Sequence, residues 1–168
     1  TFDQDWPQIK HWWRWVNDHA HSDGQLAQLC VAYSLYGEEL FLFRLTPQER
    51  LEWVQTGLII AHETHNQKAE VNCLRRIAWA VQKKGQLNDA EIITRQALAL
   101  AESIEDRFSV GRILYLLGEI LISQGNLMEA WEVSSRSLKV LLAVGAETYL
   151  PDAYRAMGVV LYMQGKFE

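Results

Sequence analysis

Apolar residues recur at three- and four-residue spacing along most of the chain, the period of a helix that buries one face. Between residues 69 and 84, Leu74, Ile77, Ala78 and Val81 keep that spacing, and after Gly85 so do Leu87, Ala90, Ile93, Ala97 and Leu100. No segment alternates apolar and polar residues between turn signals, so no strand is expected. Helix-start chemistry sets the boundaries. Thr46-Pro47 with Glu49 reads as an N-cap with proline at the first helical position. Asp5 with Pro7 opens the first helix, Ser22 or Asp23 the second, and Thr148 or Tyr149 leads into Pro151 for the last. The pattern predicts helices near 5–20, 23–43, 47–64, 68–84, 87–103, 107–124, 127–143 and 149–164, about eight helices in four hairpins.

A second, longer period lies over the first. Gly85, Gly125 and Gly165 are spaced by 40 and 40, and the residues that follow read GQLNDA, GNLMEA and GKFE, so Ala90 and Ala130 share a register. Ala97-Leu98 aligns with Ser137-Leu138, Gly57-Leu58 falls in the same register one unit earlier, and Ala61 aligns with Ala101. Seven residues ahead of each glycine stand Ala78, Gly118 and Gly158. Glycine at a helix C-terminus supplies the positive φ of a tight turn. The small residues at 78, 118, 158, 90 and 130 are expected to let the helices of a hairpin approach closely.

This unit resembles the tetratricopeptide repeat (TPR), whose period is ~34 residues. The family's positions read here as Leu74, Ile77-Ala78, Val81, Gly85, Ala90 and Ala97, then Leu114, Leu117-Gly118, Leu121, Gly125, Ala130 and Ser137. A third set reads Tyr154, Met157-Gly158, Leu161 and Gly165. The family's terminal proline is missing and six extra residues lengthen the unit, up to about nine ångströms of helix at ~1.5 Å per residue. Such 40-residue units look like those in the sensor regions of bacterial signal-transduction ATPases of the NB-ARC/STAND type. The segments DWPQIKHWWRWVNDH, QLAQLCVAYSLY and LTPQERLEWVQTGLIIA resemble the junction after the ATPase core in those proteins. The resemblance implies an all-α, TPR-like right-handed superhelix of antiparallel helix pairs. Its expected parts are a Trp-rich helical pair over 1–45 and repeats over 46–168, the last one truncated.

Composition narrows the function classes. Hydrophobic residues make up 49% and charged residues 22%, ordinary for a folded protein, and only 3 prolines interrupt the chain. Sixteen basic against twenty-one acidic residues give a net charge of −5, against the basic face of a nucleic-acid binder. No apolar run reaches the ~18–20 residues that span a bilayer, and Ile113–Ile122 is interrupted by Gly118 and Glu119. Neither a nucleic-acid nor a membrane partner is therefore expected. Cys30 and Cys73, 43 residues apart inside apolar helical patterns, read as buried thiols of a cytoplasmic protein rather than a disulfide framework. The chain opens without Met and stops at GKFE, partway through a unit, and is expected to be part of a longer protein.

Candidate chemistry is sparse. No GxSxG, phosphate loop or Cys–His pair occurs, so no catalytic site and no cofactor is expected. His62-Glu63-Thr64-His65 places two histidines at i, i+3, but a third ligand and the HExxH spacing are absent, so no metal site is expected. The acid pairs Glu38-Glu39 and Glu105-Asp106 read as caps or solvated groups.

The resemblance to the TPR family assigns groove positions on the first helix of each pair. They are Asn72, Arg75, Arg76, Trp79, Gln82 and Lys83; Arg112, Tyr115, Leu116, Glu119, Ile122 and Ser123; and Asp152, Arg155, Ala156, Val159, Tyr162 and Met163. Arginine beside Trp79, Tyr115 and Tyr162 is the composition of interaction hot spots. On an acidic chain it implies an acidic peptide or protein partner, the alternative being arginines paired with Glu70, Glu119 and Asp152. The expected function is a non-enzymatic protein- or peptide-binding sensor or scaffold module of a larger cytoplasmic regulator. The alternative is a solenoid receptor for a small molecule or signal peptide. Among the seven tryptophans, Trp13 shares a helix face with Ile9, Val16 and Ala20, while Trp12 and Trp15 lie beside it as candidate contacts with an adjacent domain. The face of Val159, Val160 and Tyr162 is expected to stay partly uncapped and to allow self-association.

Overall fold

The helix-start signals act where the sequence puts them. Thr46 Oγ1 accepts from the Glu49 amide at 3.2 Å while the Glu49 carboxylate accepts from the Thr46 amide at 2.8 Å, a reciprocal capping box. Asp23 Oδ1 accepts from the Gln25 amide at 2.7 Å, and Asp106 Oδ1 from the Ser109 amide at 3.1 Å. In this computed structural model, which describes the backbone of residues 2–41 and 45–165 and the side chains of 4–35 and 45–165, every described element is helical. They are α1 (Phe2–His19), α2 (Gly24–Phe41), α3 (Pro47–Glu63), α4 (Gln67–Lys83), α5 (Leu87–Ser103), α6 (Arg107–Gln124), α7 (Leu127–Ala143) and α8 (Leu150–Met163). The protein is an all-α helical repeat in which successive helices pack as neighbours.

One boundary differs from expectation. The first helix begins at Phe2, so Pro7 sits inside it rather than opening it. At the other end Tyr149 leads into α8 with Pro151 in its first turn, as expected, and a 3-10 turn over Glu147–Tyr149 precedes the helix. Pro151 has no N–H to give the first helical turn, and the backbone tightens, with the Tyr149 amide donating to the Ala146 carbonyl at 3.0 Å. Residues 42–43 of the expected second helix and the GKFE end from 166 onward lie outside the described residues.

The turns follow a shorter period than the sequence. Left-handed residues occur at His65, Gly85, Glu105, Gly125, Gly145 and Gly165, one every 20 residues. Five of the turns close with the same pair of bonds. At 125 the Gly125 amide donates to Ile122 and the Asn126 amide reaches back to Leu121, and the bonds at 65, 85, 105 and 145 repeat this pattern. This is the Schellman arrangement, which satisfies the last carbonyls of each helix.

The chain divides into two compact units, 1–73 and 74–168. In the first, Val16, Ala20, Ala27, Cys30, Val31, Ile60, Ala61 and Ala69 form one buried cluster. A second gathers Trp6, Ile9, Trp13 and Tyr33 around Leu45 and Trp53, with the Trp13 and Trp53 rings stacked at 4.4 Å. Ser34 donates to the Trp53 carbonyl at 2.7 Å, and a Cβ on Gly57 would come within 2.5 Å of that serine.

In the second unit Ala78 and Ala90 pack with Leu116 and Ile120, and Leu117, Leu121 and Ala130 pack with Val160. Helix α6 is buried on most of its surface because α5, α7 and α8 all pack on it. Gly118 is required, since a Cβ there would lie 2.5 Å from Ser134 Oγ. Gly111 is crowded in the same way by Leu141, at 2.7 Å, and its carbonyl accepts from Ser137 at 2.7 Å. At Gly158 a Cβ would meet nothing within 4 Å. Helices α5 and α7 are tied along their outer sides by Arg95 to Glu129 at 2.6 Å and by Arg136 to Glu102.

A candidate ligand groove on the second unit

Helical spacing puts Arg75, Trp79 and Lys83 on one face of α4, and Arg112, Tyr115, Leu116 and Glu119 on one face of α6. Asp152 and Arg155 face the same space from α8, with Tyr149 from the 3-10 turn. Together they line a cavity of about 340 Å³. Four cations and two carboxylates face it on a chain whose net charge is −5.

Two arginines in this groove are held in opposite ways. Arg155 donates through Nη2 to Glu119 Oε1 at 2.8 Å and to the Tyr115 hydroxyl, and its Nε lies 3.8 Å from Asp152 Oδ1. The bond to Glu119 is the main reason its guanidinium is held still more firmly in the charged form. Burial first, and then Glu119, push the Tyr115 hydroxyl above the usual phenol range, so it stays protonated. Arg112 instead lies over aromatic faces, its guanidinium carbon 4.7 Å from the Tyr149 ring centroid and 5.6 Å from that of Phe108. Those two rings meet edge to face at 5.5 Å. No carboxylate of the described residues lies within ion-pair distance of Arg112. Lys83 is set over Trp79, 5.5 Å from its ring centroid.

The structure thus brings Arg75, Trp79, Arg112, Tyr115, Glu119 and Arg155 together, along with Lys83 and Asp152 from the wider groove assignment. Arg76 and Tyr162 do not line the cavity, and Tyr162 is 75% exposed. Asn72, in the first unit, donates to the Lys68 carbonyl at 3.0 Å. The pairing of arginine with Glu119 and Asp152, weighed above as the alternative, describes Arg155 and not Arg112. The sequence reading named Tyr149 as a candidate start of the last helix but not as a groove residue, because it precedes the helical frame on which groove positions were counted. The available signal was Pro151, which in the first turn of α8 leaves an aromatic residue in the turn before it.

The other candidates resolve individually. On α1, Trp12 and Trp15 are 54% and 40% exposed and meet edge to face, and His19 stacks on Trp15 at 4.6 Å. The expected uncapped face at the C-terminal end is narrower than the sequence indicated. Val160 is fully buried against Leu117, Leu121 and Ala130, since its side chain points about 100° around the helix from that of Val159. His62 lies 3.3 Å from Glu70, Glu63 bonds His21 at 2.7 Å, and His65 occupies the left-handed turn position. Among the described residues no three His, Cys, Asp or Glu side chains gather as metal ligands. Glu105 takes the left-handed turn position and Asp106 caps α6, whereas Glu38 and Glu39 lie outside the described side chains. Both cysteines are buried and outside any disulfide, and burial raises the Cys30 thiol to about 11. A second cavity, of about 530 Å³, lies among Glu102, Glu105, Arg107, Val110, Arg136 and Lys139. Among the described residues no helix is long and apolar enough to cross a membrane. No protein-family model matches the chain, and no curated protein matches it either.

Proposed function

We propose that this chain is a non-enzymatic interaction module, a TPR-like stretch of a larger cytoplasmic signalling or regulatory protein. Its partner is a protein or peptide segment of acidic character that binds in the groove of the second unit. One observation supports this above the others: Arg112 lines the cavity with its guanidinium on two aromatic faces and, among the described residues, no carboxylate to satisfy it. A guanidinium held in that way keeps its edge donors for a planar anion, while Trp79, Tyr115 and Leu116 supply apolar surface beside it. By resemblance to the NB-ARC/STAND sensor regions, partner binding here would bias the activity of the parent ATPase. Trp12 and Trp15 would contact adjacent domains of the parent chain, as exposed aromatic patches commonly do.

Selection of displayed random twelve-residue peptides on the wild type and on Arg112→Glu tests the reading, with circular dichroism confirming equal helicity. Convergence on sequences that combine acidic and aromatic residues is expected for the wild type and its loss for the variant. Equal enrichment on both proteins, or no convergence at all, refutes the peptide groove. A cavity of about 340 Å³ also lies at the small end of the ~300–1,000 Å³ typical of small-molecule sites. That second reading gains if no peptide converges but a dialysable component of cell extract raises the melting temperature.

A further inference from the structure

We propose that Glu119 sets the selectivity of the groove: a ligand carboxylate is received at Arg112 but excluded from Arg155, because Glu119 already occupies it. The inference rests on the reading that the groove is the binding surface. The two arginines line the same cavity, yet only Arg155 is satisfied from within. Glu119 takes its guanidinium at 2.8 Å, Tyr115 takes the same nitrogen and Asp152 stands 3.8 Å from Nε. The Glu119 side chain is only 19% exposed and is fixed by charge-assisted bonding rather than swinging free in water. Arg112 is the reverse case, oriented by Phe108 and Tyr149 with no carboxylate of its own among the described residues.

A ligand with one acidic group therefore meets an open guanidinium at Arg112. A second acidic group reaching for Arg155 must break the Glu119 bond and then share the space with two displaced carboxylates, Glu119 and Asp152. Like charges brought together in this way are the usual means of rejecting a wrong partner. Glu119 and Asp152 thus make the groove selective for singly acidic segments next to apolar or aromatic residues, and set it against acidic runs.

The arginine side chains report this directly. Nitrogen-15 NMR of the arginine Nε–H groups is followed while the protein is titrated with benzoate, a planar monocarboxylate, and separately with isophthalate, its dicarboxylate counterpart. In the wild type, benzoate is expected to shift the Arg112 signal saturably and leave Arg155 still. In Glu119→Gln, which keeps the side-chain shape, Arg155 is expected to respond as well. Isophthalate should then bind about fivefold more tightly than to the wild type, the scale of one exposed ion pair. Glu119→Asp, which draws the carboxylate back by one methylene, is expected to act in the same direction and serves if the glutamine variant does not fold. Arg155 responding beside Arg112 in the wild type, or staying silent in both variants while Arg112 responds, overturns the role of Glu119 and leaves the groove standing. Silence of both arginines in all three proteins overturns the groove reading and this inference with it.

Discussion

Replacing His65 and Glu105 by glycine is expected to stabilise the fold, although both changes remove a whole side chain. Each residue holds a positive φ, 53° and 57°, at a turn position filled by glycine at 85, 125, 145 and 165. An L-residue in the left-handed region carries a penalty of roughly 1–2 kcal/mol from the approach of its Cβ to the backbone. Glycine relieves that penalty but gives back roughly 0.5–1 kcal/mol through the greater freedom of the unfolded chain. Neither side chain makes a hydrogen bond or ion pair among the described residues, so nothing else is lost. The net gain is up to about 1.5 kcal/mol for each substitution, or up to roughly 6 °C in melting temperature for a chain of this size.

The reciprocal experiment isolates the backbone. A Cβ placed on Gly85, Gly125 or Gly145 would meet nothing within 4 Å, so Gly125→Ala adds strain without a clash and is expected to lower stability by about 1 kcal/mol. Thermal and urea unfolding followed by far-ultraviolet circular dichroism measures both series. Tryptophan fluorescence run alongside checks that the probes agree, since repeat arrays do not always unfold in one step. If His65→Gly and Glu105→Gly both destabilise while Gly125→Ala is neutral, the turn argument is wrong.

Other outcomes follow from the same packing and charges. Gly118→Ala places a Cβ 2.5 Å from Ser134 Oγ and is expected to cost about 1–3 kcal/mol, whereas Gly158→Ala, in open space, is expected to be neutral or slightly stabilising; urea midpoints separate the two. Lys10 first, then the Thr46 amide, holds the Glu49 carboxyl down at about 2, so its stabilisation is complete above the unfolded carboxyl range near ~4.3 and is lost as pH falls toward 2. Glu49→Gln should remove that part of the acid dependence from urea midpoints measured between pH 2 and 7, and an unchanged profile refutes it. Cys30, buried and raised to about 11, is expected to resist a thiol reagent at pH 8 until the protein is unfolded, and rapid labelling of the native state would contradict its packing.

Helix existence and position were legible because the apolar spacing and the caps at Asp23, Thr46 and Asp106 agree with each other. The one misplaced start involves proline. Pro7 was read as opening a helix that in fact begins at Phe2, whereas Pro151 sits in the first turn of α8 behind Tyr149, as its spacing indicated. The 20-residue backbone period was not legible, because the sequence repeats at 40. The turns before α4 and α6 have the backbone of the glycine turns, but carry His65 and Glu105 in place of glycine. What separates alternate helices is burial: α6 buries Ile113, Leu114, Leu116, Leu117, Ile120 and Leu121 between its neighbours, while α7 buries little beyond Ala130, Ser134, Ser137 and Leu141. Selection for side-chain environment therefore repeats with every second helix, even though the chain path repeats with each one.

That alternation also explains which part of the groove was readable in advance. Positions 40 apart stand at equivalent places in successive repeats, and Arg155 bonds Tyr115 across that interval. Reading down such columns gives Arg75, Tyr115 and Arg155 at one position, Trp79, Glu119 and Val159 at the next, and Asn72, Arg112 and Asp152 at a third. A repeat built only for packing would hold each column constant, as Ala90 and Ala130 are held. The groove columns change charge at every step instead, and the changes interlock: the carboxylate of one repeat, Glu119, meets the guanidinium of the next, Arg155. The membership of the groove was thus visible as variation against a fixed period. The division of labour between its arginines was not, since it depends on Tyr149 leaving the helical frame to lie against Arg112, and only the fold reveals that contact.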